Sequence, residues 1–145
     1  MVIDSKKLET FIREIFLAMH CSTNETSIIT RHLITANLMG HDSHGVGMIP
    51  IYVKNFHEQI LLPNVNPITI KDESNILIFD GKRGFGQSIT AHAISKGIEK
   101  CKKTGAYFIV DGTQSVGAVP INVKELNIDA LICASYKWLL GPYSM

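Results

Sequence analysis

The chain has 145 residues, 46% of them apolar and 19% charged, with a formal net charge of +1 at pH 7. That balance belongs to a globular protein and excludes a disordered one; the basic residues are scattered and leave no footprint for nucleic acid or for an anionic membrane surface. No apolar run approaches the roughly 20 residues that span a bilayer, the first residues lack the plan of a signal peptide, and Cys21, Cys101 and Cys133 are odd in number and far apart. A reduced, cytoplasmic protein without metal is expected.

Residues 5–20 place Leu8, Phe11, Ile12, Ile15 and Met19 at helical spacing behind Asp4 or Ser5 as N-cap. Ser22-Thr23-Asn24-Glu25 is a capping box, so a second helix should start there, carry Ile29, Leu33 and Ala36 inward and end at Gly40. After the polar loop His41 to Gly47, Pro50 suits the first residue of a third helix with Ile49, Tyr52, Val53 and Phe56 on one side. Beyond Pro63 and Pro67, the runs Ile68-Thr69-Ile70 and Ile76-Leu77-Ile78-Phe79 predict a hairpin turning over Asp72-Glu73-Ser74-Asn75. Gly81, Gly84 and Gly86 form a loop. A long helix follows from Gln87 to Lys103 through Ala91, Ile94, Ile98 and Cys101, with Gly105 as its C′ glycine.

Past Gly105 the pattern changes. Ala106 to Val110, ending in Asp111, and Asp129 to Cys133 are continuous apolar runs of the kind that form buried parallel strands. Between them lie a small-residue turn from Gly112 to Gly117 and one helical turn near Val123 to Leu126. The expected fold class is α/β: a helical N-terminal part with a β-hairpin and a long helix, then two parallel strands of a truncated sheet.

The loop His41-Asp42-Ser43-His44-Gly45 concentrates chemistry. Oxidising a 2-hydroxy acid needs a group that takes the hydroxyl proton as the hydride leaves, and a histidine titrating near neutrality suits that role. On residue type alone, a His-x-x-His pair in a loop serves capping and solvent contact more often. A metal held by His41, Asp42 and His44 has no further ligand at a defined spacing.

The run Ala36-Asn37-Leu38-Met39-Gly40-His41-Asp42-Ser43-His44-Gly45 resembles the non-Rossmann malate/L-lactate dehydrogenase family, nearest its hydroxycarboxylate dehydrogenase branch. Met48-Ile49-Pro50, Tyr52-Val53, Phe79-Asp80-Gly81 and Gly84-Phe85-Gly86-Gln87 carry the same resemblance, over residues 5–104. It implies NAD(P) as cofactor, a small 2-hydroxy or 2-oxo acid as substrate, and His44 as the acid–base histidine lying against the nicotinamide. Many relatives clamp the substrate carboxylate with an arginine four positions later; Met48 stands there, so no clamp is assigned. The glycines at 81–86 look like a phosphate cradle, though in this family they make a turn. The rest of the cofactor pocket is expected downstream of position 104, where this chain departs from the family.

Asp111, Gln114 and Lys137 form a second constellation. If their strands are parallel neighbours, Asp111 and Lys137 reach the same carboxyl edge, where α/β proteins place ligands. A lysine amine forms a Schiff base with an aldehyde cofactor, and a carboxylate keeps its pyridine nitrogen protonated. The plainer alternative is an N-capping Asp111 and a solvated Lys137. Phe108-Ile109-Val110-Asp111-Gly112-Thr113-Gln114-Ser115-Val116-Gly117-Ala118, Pro120, Val123 and Ser135-Tyr136-Lys137-Trp138-Leu139-Leu140-Gly141-Pro142 resemble the class V aminotransferase/cysteine desulfurase family. This implies pyridoxal 5'-phosphate, with Asp111 as pyridinium partner, Gln114 on the ring hydroxyl and Lys137 as Schiff-base lysine. Relatives often have a phosphate-binding serine three positions before the lysine and a histidine just before it; here Ala134 and Tyr136 stand there, with Ser135 offset.

Two pieces, 1–104 and 105–145, are therefore expected to be joined near Gly105, each cut short, with little activity of either kind alone. The alternatives are a pyridoxal-phosphate-binding protein acting on an amino acid, and a non-catalytic module. Such a module would dock on a full-length relative or self-associate through exposed strand edges.

Overall fold

The computed structural model describes residues 3–74, 76–117 and 120–142, in two compact units, Met1–Ser95 and Lys96–Met145. Among the described residues the helices are α1 (Ser5–Ala18), α2 (Thr23–Leu38), α3 (Ile49–His57) and α4 (Gly86–Thr104). The strands are β1 (Ile68–Glu73), β2 (Ile76–Asp80), β3 (Ile109–Asp111) and β4 (Ala130–Ile132). The class is mixed α/β, and the unit boundary falls inside α4.

In the first unit, side chains start the helices. Asp4 Oδ1 accepts from the Lys7 N–H at 3.0 Å to cap α1, and Ser22 Oγ accepts from the Glu25 N–H at 3.2 Å to cap α2. The reciprocal half of the predicted capping box is absent. Ser22 N–H goes instead to Asn64 Oδ1 at 2.6 Å, and the Glu25 carboxylate turns inward to Asn64 N–H at 2.6 Å and Ser88 Oγ at 2.8 Å. At the far end of α2, Gly40 takes φ +78°. Its N–H reaches Asn37 O at 2.9 Å and that of His41 reaches Ala36 O at 2.8 Å, the paired bonds of a Schellman end.

The core joins Ile12, Phe16 and Met19 of α1 to Cys21, to Ile29 and Leu33 of α2, and to Phe85. Tyr52, Val53 and Phe56 of α3 pack against it. Phe85 meets Phe16 edge-on at 5.8 Å and Tyr52 at 5.6 Å between ring centroids, a geometry that adds to simple burial. One sequence expectation is corrected here. The stripe of α1 centres on residues 12, 16 and 19, so Phe11, about 100° away around the helix, is 60% exposed, and Phe16 is wholly buried.

β1 and β2 pair antiparallel, Ile68 opposite Asp80 and Glu73 opposite Ile76, with an irregularity between Thr69 and Lys71. The strand runs through Asp72 and Glu73, where the sequence placed the turn, and Asn75 lies outside the described residues. Phe79 meets His92 of α4 edge-on at 5.5 Å. The apolar stripe that predicts α4 is not buried: no residue of the helix is, and Ile94 is 52% exposed.

In the second unit, Gly105 has φ +66° and the Ala106 N–H bonds Cys101 O at 3.1 Å, so α4 ends on the expected glycine. β3 and β4 are parallel, Ile109 opposite Ala130 and Asp111 opposite Ile132. The apolar runs read as strands contract to three residues each. They are not buried as expected, since among the described residues the pair has no further strand beside it, and Ile109 and Ile132 are largely exposed. Near Val123 the chain makes the single turn expected there, with Leu126 N–H on Asn122 O at 3.0 Å and Ile128 N–H on Val123 O at 2.9 Å.

Candidate functional site

The Schellman end of α2 reverses the chain into two short 3-10 turns, Asp42–His44 and Val46–Met48. His44 ends the first of them and is exposed. Its Nδ1 lies 2.9 Å from Ser43 Oγ, and its ring stands edge-on to that of His41 with centroids 6.2 Å apart. With the ring proton on Nδ1 donated to Ser43 Oγ, Nε2 is the acceptor nitrogen of the ring. Asn37, in the last turn of α2, spans the loop: its Nδ2 donates to Asp42 Oδ1 at 2.5 Å and its Oδ1 accepts from the Val46 N–H at 2.6 Å. Gly45 is buried against that amide so closely that a Cβ there would overlap it. Among the described residues no group of three His, Cys, Asp or Glu side chains is arranged to hold a metal ion.

In the second unit, Asp111 ends β3 and its Oδ1 accepts from the Thr113 N–H at 2.9 Å, an Asx turn. Side-chain and backbone hydrogen bonding to Thr113 holds this carboxyl below its ordinary value. The loops that follow the two strands are bound to each other. Ala134 N–H donates to Thr113 Oγ1 at 2.9 Å, and Trp138 Nε1–H donates to the main-chain carbonyl of Gln114 at 3.1 Å. Gly112, buried beneath Leu131, lets them meet, its N–H on Ile132 O at 2.7 Å. Lys137 is exposed, with Nζ 5.6 Å from the centre of the Tyr136 ring. Asp111 thus ends β3, Gln114 lies in the loop that follows it and Lys137 in the loop that follows β4, and no hydrogen bond joins Asp111 to Lys137.

In the sequence, Asn37, Thr113 and Trp138 stand out only as members of longer runs. The indole N–H of the half-buried Trp138 is a donor that seeks an acceptor, which was the available signal for it. Nothing local announced the partners of Asn37, because the Gly40 reversal creates them.

The family model for malate/L-lactate dehydrogenase matches residues 3–130. The chain belongs to that family. Hydroxycarboxylate dehydrogenase B of Escherichia coli (strain K12) is 40% identical over 102 residues, covering 70% of this chain and 28% of the enzyme. A solved Escherichia coli structure, described as a malate/lactate dehydrogenase, is similar with TM-score 0.68 and 38% identity, over 72% of this chain and 29% of that one. The chain thus spans under a third of the length of these dehydrogenases. A shorter likeness, 47% identity over 49 residues, is to the cysteine desulfurase IscS of Histophilus somni (strain 2336), covering 34% of this chain and 12% of that enzyme. The family match continues beyond Gly105 as far as Ala130, at the start of β4. No helix among the described residues is long and apolar enough to cross a membrane.

Proposed function

We propose that this chain carries the acid–base part of an NAD(P)-dependent 2-hydroxycarboxylate dehydrogenase of malate/lactate type, joined near Gly105 to a class V aminotransferase-like segment. Residues 1–104 form the first piece and 105–145 the second. The observation that carries the dehydrogenase reading is His44, exposed and hydrogen-bonded at Nδ1 to Ser43, in a loop within the family match. His44 takes the proton of a substrate hydroxyl at Nε2 during oxidation and returns it during reduction. Bound NAD(P) would accept or supply the hydride.

The residues around His44 do not make a dinucleotide seat by themselves. The ring is exposed, and alignment of donor and acceptor supplies much of the rate. The 145 residues alone should therefore turn over little 2-hydroxy acid. The test is a hybrid in which residues 5–104 replace the matching part of the Escherichia coli enzyme. It should oxidise 2-hydroxy acids, and His44→Ala should lower its kcat by about 10²–10⁴-fold. An active hybrid indifferent to that change removes the assignment.

A second reading, a pyridoxal 5'-phosphate-binding segment, is favoured by the parallel pair β3–β4, in which Asp111 ends β3 and the chain that follows β4 carries Lys137. Asp111, kept ionised by Thr113, suits the pyridine nitrogen, and Lys137 offers the amine. A phosphate seat is not evident, since Ser135 Oγ donates to Pro142 O at 3.4 Å. Incubation with the cofactor and borohydride should label Lys137. An unlabelled lysine ends this reading.

A further inference from the structure

We propose that Asn37 is a positioning residue for His44, fixing the backbone on both sides of it through one donated and one accepted hydrogen bond. The proposal rests on the reading of His44 as the acid–base group. Its two anchor points, Asp42 and Val46, stand two residues before and two residues after the histidine, at 2.5 Å and 2.6 Å from the Asn37 amide. The His44 N–H is spent on His41 O at 3.0 Å, and the Gly45 N–H on Asp42 O at 3.2 Å closes the turn between the anchors. Gly45 lies against the amide with no room for a side chain.

The chemistry of the clamp is specific to a carboxamide. One end must donate, because Asp42 Oδ1 only accepts when ionised; the other must accept, because Val46 offers an N–H. A carboxylate at position 37 keeps the second bond and loses the first, and it sets two negative charges at hydrogen-bond distance. An aliphatic side chain loses both. The helix does not require this arrangement, since the Gly40 and His41 N–H groups already close the end of α2. The amide therefore serves the loop rather than the helix, and His44 is the one residue centred between its contacts.

The test uses the full chain, isotopically labelled, with the His44 ring signals identified by their loss in His44→Gln. Asn37→Asp should shift or broaden those signals at neutral pH far more than the ring signals of His20 and His57, and should leave Phe16 and Phe85 unmoved. Adding Asp42→Asn interchanges donor and acceptor at that contact and should bring the His44 signals back. Such rescue would not follow from a general loss of stability. Unmoved His44 signals in Asn37→Asp, or no recovery in the double variant, overturn the proposal. Should Asn37→Asp fail to fold, Asp42→Ala removes one anchor at an exposed residue and must still move the His44 signals; if it does not, the proposal is equally overturned. The signals are read without substrate, so failure of the acid–base reading would appear only in the kcat of the hybrid enzyme.

Discussion

Glu25 and Asn64 hold each other across the corner between α1 and α2. The buried carboxylate accepts the Asn64 N–H at 2.6 Å, and the Asn64 side chain takes the Ser22 N–H and donates to His20 O, both at 2.6 Å. Asn64 adopts φ +58°, a conformation asparagine tolerates better than most residues. Glu25→Ala would strand the Asn64 N–H and leave the Ser88 hydroxyl only the Phe85 carbonyl, at a cost of about 1–3 kcal/mol. Glu25→Gln, which keeps an acceptor, should cost less. Urea unfolding followed by tryptophan-independent far-ultraviolet dichroism would rank the two.

Cys21 sits beside the same carboxylate. Burial, then the charge of Glu25 and a hydrogen bond to it, push its thiol from 9.0 up to about 12. Between those values the unfolded chain loses this proton while the folded chain keeps it. The stabilising contribution is therefore complete below about pH 9 and is lost as the pH climbs towards 12. Cys21→Ala should flatten the alkaline fall in stability over that window. At about pH 8, where a thiol needs its thiolate to react, iodoacetamide should leave Cys21 unmodified in the folded chain, as read by peptide mass.

Phe16 and Phe11 offer a direct comparison on one helix. Phe16 is wholly buried between α1 and Phe85, and Phe11 is 60% exposed. Phe16→Ala should cost about 3–5 kcal/mol, enough to unfold a small unit, whereas Phe11→Ala should stay within about 0.5 kcal/mol. Thermal unfolding of the two variants reads the difference.

The β1–β2 hairpin shows Ile68, Ile70 and Ile78 to solvent, and its strands have no further neighbours among the described residues. Open apolar edges of this kind invite association. Ile70→Lys with Ile78→Lys should lower the sedimentation-average mass of concentrated solutions towards the monomer value. An unchanged average would place any association elsewhere.

What the sequence made legible were the features settled within a few residues of chain. Asp4, Ser22, Gly40 and Gly105 announce helix ends because their bonds close locally, and each stands where it was expected. Phe11 and Phe16 could not be ranked so easily, because both lie near an apolar stripe whose centre is fixed only when α1 meets Phe85. The exposure of β3 and β4 has a related cause: their apolar composition suits neighbouring strands that the pair lacks among the described residues. For the candidate site, the loops bearing His44, Asp111, Gln114 and Lys137 were legible as positions. The bonds that shape those loops were not, since Asn37 reaches Asp42 and Val46, and Thr113 reaches Ala134, only after the chain has reversed.

The way α4 stops has a practical corollary. Its carbonyl at Cys101 is already satisfied by Ala106, one residue beyond the left-handed glycine, so that closing bond asks nothing of residue 107 onward. That makes position 106 a permissive docking point for foreign sequence: a tag, a reporter or a different strand could be ligated there with the terminal turn of the helix left intact.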